Sequence, residues 1–148
     1  MSTNELRKKP RQTTRIVALV AAILWAVLIF CLSSIPGSGF PSHPNFLNVI
    51  AHFGEYLVLA VLLTLALNNS NRALWKTALI ALVITSLYGA SDEIHQLFTG
   101  RNCDPVDWAT DTCGALIGVV ATVWFISARK VKQSRKRDGE KRSQQKTQ

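Results

Sequence analysis

Residues 91–111 read SDEIHQLFTGRNCDPVDWATD, and five of the chain's nine acidic residues fall inside them: Asp92, Glu93, Asp104, Asp107 and Asp111. His95, Gln96 and Arg101 stand among them. An apolar run, 73–89, leads into this stretch, and another follows it from Pro105 to about residue 128. Two more lie upstream, at 16–32 and 46–67; the second is interrupted only by Asn48, His52 and Glu55 near its start. Runs of this length are close to what a helix needs to cross a hydrocarbon core of about 30 Å. The expected fold is therefore all-α, a polytopic membrane bundle with four transmembrane helices. In such a setting ionisable groups are costly, so a cluster of them is read as a site.

The charge distribution sets the orientation. The chain is 48% hydrophobic yet carries a net charge of +8, which is possible because its cations are segregated. Arg7, Lys8, Lys9, Arg11 and Arg15 precede the first run, Arg72 and Lys76 mark the turn after the second, and a basic tail starts at Arg129. By the positive-inside rule both termini and the middle turn are cytoplasmic, and the acidic cluster faces the other side. The expected divisions are a basic cytoplasmic N-tail at 1–15, the four-helix membrane domain at 16–128, and a basic cytoplasmic C-tail at 129–148. Residues 130–148 have too few apolar groups to fold, so the C-tail is expected to be disordered and drawn to anionic headgroups. Nucleic acid is not an expected partner: the tails carry no aromatic residues for base stacking, and no nucleic-acid fold signature is present.

Local signals complete the outline. A cleaved signal peptide is the competing reading of the first run. Ser33-Ser34-Ile35-Pro36-Gly37 offers no small-residue cleavage pattern, however, and Phe30 is bulky for a lipoprotein site before Cys31. Pro36 and Gly37 are expected to end an uncleaved first helix, and residues 38–44 to form a surface loop containing His43. Trp75 and Tyr88 are placed as interface aromatics at opposite ends of the third run. Thr99-Gly100 should break the third helix, with Asp104 as the N-cap of the fourth and Pro105 at its first position. Cys31, Cys103 and Cys113 follow no metal spacing; Cys31 and Cys113 read as small hydrophobes, and no disulfide between Cys103 and Cys113 is expected.

The polar residues recur at helical spacing. His52 and Glu55 share a face, as do Glu93 and Gln96, and Asp92 pairs with His95 on the adjoining face. Asp107, Asp111, Gly114 and Gly118 follow a four-three-four spacing and make one stripe. Small residues let helix backbones approach, so this stripe should face another helix and carry its carboxylates inward. The bland readings are that Asp104 and Asp107 only cap, that His52 is a satisfied interfacial histidine, that His95 is merely anchored, and that Arg101 is a surface residue; beside so many acids, Arg101 is expected instead to neutralise them. The functional readings are a divalent metal held by His52, Glu55, Glu93 and Asp111, general acid–base work by paired carboxylates, binding of a sugar, amine or lipid headgroup, or an ion or proton relay in a small transporter subunit.

The order His52-x-x-Glu55-Tyr56, then Asp92-Glu93-x-His95-Gln96-x-Phe98-x-Gly100-Arg101, then Asp107-x-x-x-Asp111-x-x-Gly114 with Gly118, resembles the VanZ-like family of small bacterial membrane proteins. The resemblance covers about residues 45–120. Family members often carry a Lys where this chain has Asn48 and Val49, and an Asn where Asp111 stands. The resemblance implies a multi-helix protein of the bacterial envelope, in the cytoplasmic (inner) membrane. The founding member is associated with low-level resistance to the glycopeptide teicoplanin. The site expected on these grounds has Glu55, Glu93 and Asp111 as catalytic candidates. Its binding residues would be His52, Tyr56, Asp92, His95, Gln96, Arg101 and Asp107. The expected partner is a membrane lipid or lipid-linked envelope precursor. Whether the protein binds, modifies or only supports structure stays open, as do its cofactors and any oligomeric state.

Overall fold

A computed structural model of the chain describes residues 3–36, 45–69, 72–101 and 103–145. The loop expected at 38–44, with His43, lies outside the described residues. The described residues form four helices: α1 (Thr3–Ser33), α2 (Asn45–Leu67), α3 (Leu74–Phe98) and α4 (Pro105–Gln145). All four are long and apolar enough to cross a membrane, the shortest such segments having 22 residues. At 1.5 Å per residue, 22 residues reach about 33 Å.

The distribution of residue types is that of a protein dissolved in lipid. Ala22, Ala60, Ala81, Ala115, Thr64, Thr77 and Thr85 fill the interior, while Leu24, Leu87, Ile94, Val120 and Trp124 are exposed. Lipid tails are as apolar as leucine, so large side chains gain nothing by hiding, and small ones allow helices to pack closely. The interior hydroxyls of Thr64, Thr85 and Thr122 donate back to the carbonyls of Ala60, Ala81 and Gly118 at 2.7, 2.9 and 2.7 Å. Such bonds satisfy these three hydroxyls within their own helices.

Contacts between helices give an up-down-up-down bundle. Near its start α1 meets the end of α2, where Arg15 Nε donates to the Ala66 carbonyl at 3.1 Å. Near its end α1 meets α3, where Ser34 Oγ and His95 Nε2 lie 3.0 Å apart. The middle of α3 lies against the first turn of α4, with Trp108 Nε1 donating to the Ser86 carbonyl at 3.1 Å. The parallel pair α2 and α4 packs backbone to backbone. A Cβ on Gly114 would collide with the Phe53 carbonyl, and one on Gly118 with the Leu57 carbonyl. The stripe on α4 thus faces α2, as the small-residue spacing requires.

Three expectations change. The first helix starts at Thr3 rather than at Ile16, so the basic lead-in is itself helical. The fourth does not stop near residue 128. The C-tail expected to be disordered is the continuation of α4 to Gln145, exposed to solvent. Lys, Arg, Glu and Gln are good helix formers, and Lys136 and Glu140 pair one turn apart at 4.0 Å. Tyr88 is not an interface aromatic: α3 runs ten residues past it, and its hydroxyl donates to the Ala26 carbonyl of α1 at 2.7 Å. Cys31, Cys103 and Cys113 are free and exposed.

Candidate functional site

The end of the bundle where α1 and α3 finish and α2 and α4 begin gathers the ionisable groups. On α2, Asn48, His52 and Glu55 follow a four-three spacing and so share a face. On α3, Asp92, Glu93 and Gln96 are buried together in the last turns. On α4, Asp107 lies in the first turn and Asp111 one turn deeper, both toward α2. The positive end of the α4 dipole favours a carboxylate at Asp107.

Side chains from different helices meet in pairs. His52 Nδ1 and Asp111 Oδ1 are 3.0 Å apart, with Asp111 fully buried. One turn nearer the end, Asn48 Nδ2 donates to Asp107 Oδ2 at 3.3 Å. Gly89 of α3 makes room for this arrangement, because a Cβ there would lie 3.2 Å from both Asp111 Oδ2 and Tyr56 Cε1. Glu93 Oε2 accepts the backbone N–H of Asp104 at 2.8 Å, tying the end of α3 to the cap of α4. Asp104 in turn accepts the Val106 N–H on its Oδ1 at 2.8 Å, the N-cap expected from the sequence. The Gln96 amide reaches Asp92 Oδ2 at 3.3 Å and, weakly, Glu93 Oε1 at 3.4 Å.

Beside these pairs lies a pocket of about 100 Å³. Its polar wall is made by Asn48, His52, Glu55, Asp92, Gln96 and Arg101, and its apolar wall by Ile29 and Leu32 of α1. Arg101 comes to this wall through Gly100, whose φ of +72° turns the chain back, so that the Arg101 N–H bonds the Gln96 carbonyl at 3.1 Å. The Glu55 carboxylate lines the pocket with Arg101, and its main-chain carbonyl accepts Trp25 Nε1 at 2.9 Å. Asp92 Oδ1 and Asp111 Oδ2 are buried without a hydrogen-bond partner among the described residues. The donor atoms of His52, Glu93 and Asp111 all lie within 4.8 Å of one another, close enough to be drawn around one cation.

Of the ten residues singled out in the sequence, eight lie in this region: His52, Glu55, Asp92, Glu93, Gln96, Arg101, Asp107 and Asp111. Two do not. His95 turns toward α1, stacked on Phe30 at 4.4 Å between centroids and bonded to Ser34, so its partner is not Asp92. Tyr56 lies beneath the site in the core, 0% exposed and 6.2 Å from the Tyr88 ring. Asn48 and Gly89 escaped the sequence reading as site residues. Asn48 could have been found, since it extends the His52 and Glu55 face by one turn. Gly89 gave no such signal, because a glycine's role in making space depends on what lies opposite.

A family model described as VanZ/LLP1 matches residues 18–126, a span that contains the whole of this region. No curated protein and no solved structure matches the chain.

Proposed function

The chain belongs to the VanZ/LLP1 family, and on that premise we propose that this multi-pass membrane protein binds or modifies the headgroup of a cell-surface lipid or lipid-linked cell-wall precursor. In this reading it resides in the bacterial cytoplasmic (inner) membrane with both termini cytoplasmic, and the acidic end faces outward. The observation that carries the reading is the make-up of the pocket, where Arg101 and several carboxylates meet an apolar wall from Ile29 and Leu32. Such a pocket suits an amphiphile. Arg101 would contact an anionic group, Glu55 and Asp92 would accept bonds from hydroxyl or amine groups, and the chain of the lipid would lie against α1. If the protein modifies its ligand, Glu55 is the base, because Glu93 already holds the Asp104 N–H and Asp111 is engaged with His52. Any link to glycopeptide resistance would then follow from this handling of envelope precursors.

Native mass spectrometry of the full chain in mild detergent tests this, with added polyprenyl phosphate or anionic phospholipid as probes. The expected result is a lipid adduct on the wild type that weakens in Glu55→Gln and in Arg101→Gln, with all three proteins equally helical. Equal adducts on all three, or none on the folded wild type, would overturn the reading.

A further inference from the structure

His52, Glu93 and Asp111 reach one point from three helices, and they are 6%, 2% and 0% exposed. We propose that these three side chains form a binding site for a divalent transition-metal ion of the zinc type. This goes beyond the headgroup reading and does not depend on it.

Four observations support the site. The first is distance: adjacent donors around a tetrahedral zinc ion lie roughly 3.3 Å apart, given bonds of about 2.0–2.1 Å. His52 Nδ1 and Asp111 Oδ1 are already 3.0 Å apart, and no donor pair of the three exceeds 4.8 Å. The second is charge, since a neutral imidazole and two carboxylates, the forms that would ligate, would offset the two charges of a divalent ion. The histidine pairs with Asp111, while Glu93 is met by the neutral Asp104 N–H and Gln96 amide.

The third is an orphaned acceptor. Asp111 is wholly buried and spends Oδ1 on His52, yet Oδ2 has no hydrogen-bond partner among the described residues. The fourth is the surrounding shell. The Asp104 N–H and the Gln96 amide hold the two Glu93 oxygens in orientation, as second-layer donors do for metal-bound carboxylates. Imidazole with carboxylates suits zinc, manganese or iron(II) better than magnesium or calcium, which favour all-oxygen shells of six or more. Three protein ligands leave a fourth position, and His52 also lines the pocket. A pocket water or ligand oxygen can therefore complete the sphere.

The test uses the full chain in detergent, purified without a polyhistidine tag, stripped with a chelator and titrated with Zn²⁺ alone. No lipid is present, so failure of the headgroup experiment does not bear on the result. The expected outcome is one Zn²⁺ per chain, with affinity at least tenfold weaker in Asp111→Asn and in Glu93→Gln and unchanged in Glu140→Gln on the exposed tail. Should a variant fail to fold, Co²⁺ on the wild type decides: the site gives the intense visible bands of a tetrahedral ion, not the weak spectrum of hexaaqua cobalt. The proposal is overturned by a folded wild type without saturable Zn²⁺ binding, by equal binding in the folded variants, or by an aqua-type Co²⁺ spectrum.

Discussion

Glu93 has two tasks that can be separated by substitution. One is electrostatic, at the meeting point with His52 and Asp111. The other is mechanical, because its Oε2 accepts the N–H of the residue that caps α4. Glu93→Ala removes that part-buried bond, and a net hydrogen bond of this kind contributes about 0.5–1.5 kcal/mol. Glu93→Gln keeps a carbonyl oxygen and should lose much less. Thermal unfolding in detergent with chelator present, so that metal loss does not contribute, should therefore rank wild type and Gln above Ala. Wild type and Ala melting together would mean that the carboxylate does not hold the turn. His95 shows the opposite case. Its bond to Ser34 and its stack on Phe30 satisfy it away from the pocket, which makes it a clasp between α1 and α3.

At the scale of the helix pair, α2 and α4 position the site. Asn48 meets Asp107, His52 meets Asp111, and the Phe53 and Leu57 carbonyls rest where Gly114 and Gly118 have no side chain. Even Gly114→Ala puts a Cβ into the Phe53 carbonyl, so the helices must part. Overpacking of this kind costs about 1–3 kcal/mol. The variant should melt below wild type and should also bind Zn²⁺ more weakly, although the substitution touches no donor atom, because the 3.0 Å approach of His52 to Asp111 rests on the same contact. Unchanged melting and binding would show that the two helices adjust independently of the site.

For the whole molecule, four helices long enough to cross would return both ends to one side, and in the proposed orientation, argued from the segregation of Lys and Arg, that side is the cytoplasm. Cys103 sits exposed in the connection between α3 and α4, at the acidic end. In a Cys31→Ser, Cys113→Ser background, a membrane-impermeant maleimide should label Cys103 in spheroplasts. A cysteine placed at Ser143 should react only after the membrane is opened. The reverse pattern would invert the orientation and put the pocket on the cytoplasmic side.

The four membrane helices, the α4 cap at Asp104-Pro105 and the inward stripe of Asp107, Asp111, Gly114 and Gly118 were all legible in the sequence. Each follows from a local rule: run length, capping chemistry or helical period. Period assigns a residue to a face of its own helix, and it is silent about which neighbour that face meets. For that reason Asp92 and His95 looked like partners, while Gln96 takes Asp92 and α1 takes His95. The extent of α4 was missed for a related reason. Composition told that the tail would not pack, but an unpacked segment rich in helix formers can still continue a helix already nucleated in the bundle. The pairing of His52 with Asp111, the space kept by Gly89 and the convergence with Glu93 were decided only by the tertiary structure, because each depends on the distance between helices rather than on spacing within one.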